Sequence, residues 1–224
     1  MRELHRQNWK EFLANNTLDF DHLLTLVRIE MDLLQLEGKI SHDWMILSLV
    51  LSEKLGDRLY AALSRAELYL SLSSQARQLF EKEIEQDRKE FKKIDKIFRT
   101  RNVLYTAEKY PNNSKADGFG ELLAQFRRCE VVVLRNLEAV LNLKTKQITS
   151  ASRLQKVLKA LELLAVSAVT KDEFFRHIWN QQKFVPRLHD GIVRTFIYRI
   201  RKIYGIDIRI ENGLIRARGM VILP

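Results

Sequence analysis

Between Arg194 and Lys202 the chain reads RTFIYRIRK, and four of those nine residues are cations. On an α-helix, at ~100° per residue, Arg194, Tyr198 and Arg201 fall on one side, flanked by Thr195, Arg199 and Lys202. Val193, Phe196, Ile197, Ile200, Ile203 and Tyr204 fall on the other side. The apolar side explains why such a helix packs. It does not explain an outer side with almost no acids, because a solvated helix ordinarily gains from acid–base pairs at i, i+4. Guanidinium forks bind phosphate and carboxylate oxygens in a bidentate manner. The chemistry these residues offer is recognition of a polyanion.

A second cationic group follows. Asn212-Gly213 is the two-residue signature of a type I′ hairpin turn. With that turn, Ile210 faces Ile215 and Ile208 faces Ala217 on one side of the ribbon. Arg209 faces Arg216 and Asp207 faces Arg218 on the other. Two directly opposed arginines cost a ribbon some tenths of a kcal/mol. Phosphates lying against them would remove that cost.

Bond-making chemistry is not indicated, and no enzyme is expected. The sequence has no P-loop, G-x-G-x-x-G, G-x-S-x-G or H-E-x-x-H motif. His5, His22, His42, His177 and His189 are scattered; His177 and His189 read as packing, surface or loop residues, and His42 begins a helix. The single cysteine, Cys129, between Arg128 and Glu130, reads as a strand-edge or core thiol. No metal site, catalytic residue or cofactor is expected, and one cysteine allows no disulfide framework. A reducing compartment is expected.

The elements that must position the cations lie in a distinct part of the chain. Of 224 residues, 38 are Lys or Arg and 28 Asp or Glu, a formal charge of +10. Residues 139–224 hold 16 of the bases and 6 of the acids, so residues 1–138 are neutral. This asymmetry predicts two parts with different partners. Val131–Val133, Leu141–Leu143 and Gln147–Thr149, around a polar Lys-Thr-Lys turn, predict a small antiparallel sheet. Ser152 and Gln155 form a capping box ahead of the stripe Leu154, Val157, Leu158, Leu161, Leu164. Thr170 and Glu173 form another ahead of Phe174, Phe175, Ile178 and Trp179. After a loop containing Pro186, Asp190 is the expected cap of the cationic helix, about 191–204.

The neutral part reads as helix. Leu23, Leu24, Val27, Met31 and Leu34 form one stripe that stops at Gly38. Trp44, Leu47, Val50 and Leu51 form another that stops at Gly56. A third carries Leu59, Ala62, Leu63, Ala66, Tyr69 and Leu70. A fourth has Ala76, Leu79, Phe80 and Ile84 and is drawn as running on through Phe91, Ile94, Ile97 and Phe98. The locally basic run Arg88–Arg101 reads as a solvated helix face. YPNNSKADGFG (110–120) is the linker, followed by a short helix over Glu121–Arg128. The amino terminus lacks a signal-peptide stretch, and no apolar run approaches the ~20 residues of a membrane span. The expectation is a soluble, cytoplasmic, nucleoid-associated protein with no membrane partner.

Two resemblances complete the reading. The segment from LSEKLGDRLYAAL to EKEI, with its Leu55-Gly56-Asp57 turn and Ala66/Tyr69 pair, resembles a tetratricopeptide repeat. It implies an α-hairpin array over 1–110, offering a groove or dimer face. The order sheet, helix, helix, basic helix, hairpin over about 129–224, after a linker and short helix at 111–128, is similar to the winged helix-turn-helix effector domain of OmpR-family response regulators. The matching stretches are TKDEFFRHIW (170–179), QKFVPRLHD (182–190), IYRIRK (197–202) and GMVILP (219–224). The fold class expected is therefore mainly α, an α-hairpin array followed by an α+β winged helix.

The OmpR-type resemblance implies a bacterial-type, sequence-specific transcriptional regulator that binds double-stranded DNA. The family puts its third helix in the major groove and its hairpin on backbone or minor groove. Carried over, Arg194, Thr195 and Tyr198 fall at base and phosphate contacts. Arg201 and Lys202 fall on the backbone, Arg209, Arg216 and Arg218 fall in the wing, and Arg199 is partly structural. The phospho-acceptor domain of those regulators has no counterpart in residues 1–128, so their switch is not implied. A homodimer, or a protein or small-molecule effector at the helical module, is the further partner expected. The alternative is an interaction scaffold whose winged helix binds a protein.

Overall fold

The computed structural model describes residues 1–91, 119–150, 155–181 and 183–223. Among the described residues the protein is mainly helical, with small sheets in its carboxy-terminal part. It divides into two compact units: Met1–Asn8 with Phe20–Arg127, and Trp9–Asp19 with Arg128–Pro224. The first helix, α1 (Arg2–Leu13), runs from one unit into the other.

The first unit contains α2 (Phe20–Leu36), α3 (His42–Leu55), α4 (Arg58–Ser71), α5 (Ser74–Arg77), α6 (Glu81–Glu90) and α7 (Phe119–Arg127). Its centre is α3. Sequence spacing showed one apolar stripe there, yet every residue from Trp44 to Ser52 is buried. A helix covered on all sides is a core helix, and α2, α4 and α7 all pack on it. The two buried serines on its flank are satisfied: Ser48 shares a 3.0 Å hydrogen bond with Ser64 of α4, and Ser52 donates to the Ser48 carbonyl at 2.8 Å. The α3–α4 turn is where the sequence put it. Gly56 is left-handed at φ +71, and the Asp57 carboxylate accepts from the Tyr60 N–H at 3.0 Å.

The fourth predicted helix is two elements. Ser73 caps the four-residue α5, and the chain turns before α6 begins at Glu81. That turn brings Phe80 into the core, edge-on to Phe119 at 6.1 Å, and leaves Leu79 exposed. It also lets Arg77 donate to the terminal carbonyls of α4, at Tyr69 and Leu70. Helix α6 ends at Phe91, whose backbone is extended. The continuation through Ile94–Phe98 and the 110–118 linker lie outside the described residues. The short helix after the linker is present as α7.

The second unit holds β1 (Val131–Leu134), β2 (Ala139–Asn142), β3 (Gln147–Ser150), α8 (Gln155–Val166), β4 (Val169–Thr170), α9 (Lys171–Trp179), α10 (Pro186–Tyr204), β5 (Asp207–Glu211), β6 (Leu214–Arg218) and β7 (Met220–Leu223). One sheet has the order β3-β2-β1-β7 and the other β4-β6-β5. The predicted antiparallel meander is β1–β3. The last element is not the hairpin, however, because β7 returns to pair parallel with β1. Residues near the amino terminus also join this unit. Thr17 bridges Gln147, and Asn16 O accepts from Ile148 N. Cys129 is a core thiol whose Sγ–H donates to the Val131 carbonyl.

Glycine is required where α10 ends. Gly205 has φ +66, and a Cβ there would overlap Asn142 Nδ2. That buried amide donates to Tyr204 O at 3.2 Å, and its oxygen accepts from Lys144 and Thr145 N–H. Gly205→Ala therefore combines left-handed strain with a broken buried hydrogen bond. It should lower stability by at least about 2 kcal/mol in denaturant unfolding.

Candidate nucleic-acid interface

Three helices and a hairpin set the geometry. The capping box at the start of α9 is present in full: Thr170 Oγ1 accepts from Glu173 N at 3.2 Å, and the Glu173 carboxylate accepts from Thr170 N at 2.8 Å. Thr170 also closes β4, which pairs with β6 and so places α9 beside the hairpin. The other predicted box rests on Ser152, which lies outside the described residues.

Helix α10 begins five residues before the predicted start. Pro186 sits in its first turn, where the missing N–H costs nothing and φ is already helical. Val185 N–H donates to His189 Nδ1 at 3.0 Å. Asp190 is therefore not the cap. It is inside the helix, bound by Lys171 of α9 and by Arg194 Nε at 2.6 Å. Those two cations, Lys171 first, hold its carboxyl below the usual carboxylate range.

Aromatic packing aims the helix. Phe175 of α9 is buried with the His189 ring stacked on it at 4.1 Å. Trp179 stacks on Phe175 at 5.0 Å and meets Phe196 of α10 edge-on at 5.1 Å. Val193, Ile197, Ile200 and Tyr204 are buried. Phe196 is half-buried, and Ile203, expected on the core side, is 50% exposed. It lies ~90° from the centre of the buried stripe, too far round to reach the core.

All nine residues singled out as polyanion contacts are exposed: Arg194, Thr195, Tyr198, Arg199, Arg201 and Lys202 on α10, and Arg209, Arg216 and Arg218 on the hairpin. The hairpin register is the one read from Asn-Gly: Arg209 opposes Arg216 and Asp207 opposes Arg218. Asn212 and Gly213 both have positive φ, as a type I′ turn requires. Ile208 and Ile215 are buried beneath, so the arginine side of the ribbon faces out.

No protein-family model matches this chain, and no curated protein or solved structure is significantly similar to it.

The two cationic groups sit on packed neighbours, since α10 lies against β5, and Asp207 opens that strand. Its carboxyl is held below the ordinary range by Arg209, which donates to it at 3.0 Å, and further by the charges of Arg218 and Arg201. The opposition of Arg209 and Arg216 is offset by acids, because Arg209 pairs with Asp207 at 3.0 Å and lies 3.8 Å from Glu211. Among the described residues, Arg199, Arg201, Lys202 and Arg216 make no ion pair. These four are the cations most available to phosphates.

Other candidate sites are thinner. A cleft of about 300 Å³ between α3, α4 and α6 is lined by Glu53, Asp87, Glu90, Arg58 and Arg65, among others. Those charges are already paired: Arg65 with Asp87 and Glu53, Arg58 with Glu90. Among the described residues no group of His, Cys, Asp and Glu is placed to hold a metal. No described helix is long and apolar enough to cross a membrane.

Proposed function

We propose that the second unit is a winged helix-turn-helix domain that binds double-stranded DNA sequence-specifically, and that the chain is a transcriptional regulator. The observation that carries this reading is the exposed cationic side of α10, a helix that packs against β5 of the hairpin, whose arginine side is exposed as well. Major-groove width admits one α-helix, and an arginine reads guanine through two hydrogen bonds. Arg194, gripped by Asp190, has its fork oriented before contact and is the guanine reader. Thr195 meets a thymine methyl. Tyr198, Arg199, Arg201, Lys202 and Arg216 bind phosphates, which position the helix without specifying sequence. Arg209 and Arg218 keep their acids and shape the wing.

One such module buries only ~600–1,000 Å², so tight binding calls for two copies on adjacent half-sites. The tetratricopeptide-like helical unit is the element that pairs them or receives an effector. The test is a titration of the full chain against a duplex selected from random sequence, across a salt series. With four to five phosphates neutralised, log Kd against log salt should change with a slope near 4. A flat salt dependence, or no retained duplex at low salt, overturns the reading.

A further inference from the structure

Gly191 lies inside α10, and nothing in the fold requires it. Its φ is not left-handed, and a Cβ there would meet no atom within 4 Å. Glycine in a helix is less stable than alanine, so the missing side chain has a use outside the fold. Its neighbours across the helix surface are Leu188 at i−3 and Thr195 at i+4, with Ile192 beside them. At ~100° per residue, Leu188, Gly191 and Thr195 are centred opposite the buried Val193, Ile197, Ile200 and Tyr204. This is the outermost strip of the helix. Leu188 is 68% exposed and Ile192 45%, so neither serves the core.

The strip is a small apolar notch inside a cationic frame. Arg187, Arg194, Arg199 and Lys202 surround it, all exposed. The only acid of α10, Asp190, is bound by Lys171 and Arg194. The major groove presents the matching surface: phosphates at its rims and, on its floor, the C5-methyl of thymine as the apolar feature. A notch without a side chain lets that floor approach the helix backbone.

We infer that Leu188, Ile192 and Thr195, set around the Gly191 notch, receive thymine C5-methyl groups, so that the preferred half-site carries thymines beside the guanine read by Arg194. This rests on the duplex-binding reading and supplies its base chemistry. The test uses the full chain and a duplex selected from random sequence. Kd is measured for that duplex, for the same duplex with 2′-deoxyuridine in place of every thymidine, and for a random duplex of equal length in both forms. Deoxyuridine keeps each hydrogen-bonding group and removes only the methyl.

The selected duplex should bind roughly four-fold more weakly for each contacted methyl removed, while the random duplex is indifferent to the exchange. Leu188→Ser with Ile192→Ser should shrink the difference between the two selected duplexes to the part carried by Thr195. Gly191→Leu should weaken the thymidine duplex without lowering the unfolding midpoint. Equal affinity of the unaltered protein for the thymidine and deoxyuridine duplexes overturns the methyl assignment and leaves the duplex reading standing. Failure to bind any duplex at low salt overturns both.

Discussion

Arg194→Ala combined with Tyr198→Ala should lower affinity for a selected duplex by about 10- to 100-fold, the range of one good bidentate base contact plus a phosphate contact. Binding to random duplex should fall far less, since Arg199, Arg201, Lys202 and Arg216 remain. Both side chains point outward, Tyr198 with 60% of its surface exposed and Arg194 exposed and paired with Asp190. The unfolding transition should therefore stay where it is. The measurement is a pair of anisotropy titrations, selected against random duplex, beside a thermal melt. An unchanged ratio of the two affinities would remove Arg194 and Tyr198 from the reading surface.

The second large effect is on stability. Phe175→Ala removes a buried ring that touches His189, Trp179 and Phe184 at once. Truncating a buried phenylalanine costs about 3–5 kcal/mol, most of what a small unit possesses. The loss has a functional side, because Phe175 joins α9 to the first turns of α10. Chemical denaturation followed by Trp179 fluorescence should show the destabilisation, and duplex binding should weaken even where the unit is still folded. Phe175→Leu, which keeps much of the volume, should recover most of both. A destabilisation below about 1 kcal/mol would mean that the ring stack does not hold the two helices together.

The site and its scaffold were legible to different degrees. The Thr170–Glu173 box, the Gly56–Asp57 turn and the Asn212-Gly213 turn follow from residues within four positions of each other. Their geometry is what the spacing implies. The hairpin register followed from its turn, so the outward placement of Arg209 and Arg216 was readable too. Of the nine surface residues, six follow from helical phase and three from the hairpin register, and all nine are exposed. Leu188 was not legible, because Asp190 reads as the cap and leaves Leu188 in a loop; Gly191 and Ile192 fall inside the expected helix, with no local signal for their use. The signal that marked the true start was Pro186, a residue favoured in a first helical turn.

Other features had no local signal. The all-round burial of α3 depends on its chain neighbours α2 and α4 folding back on it and on α7, more than sixty residues further on. β4 is two residues long and exists only because β6 lies beside it. β7 pairs in parallel with β1 across some ninety residues. The contribution of residues 9–19 to the second unit, through Thr17 and Gln147, is likewise non-local. Asp190 was drawn from cap to ion pair by Lys171, a neighbour in space on α9.

The sequence by itself determined the helix phase, the turns, the capping box and the separation of a neutral part from a cationic one. Each of these rests on backbone sterics or on hydrogen bonds between near neighbours in the chain. Only the tertiary structure decided where α10 begins, which strands close the sheets, and that α10 packs against β5. Those outcomes depend on groups in different elements competing for the same partners.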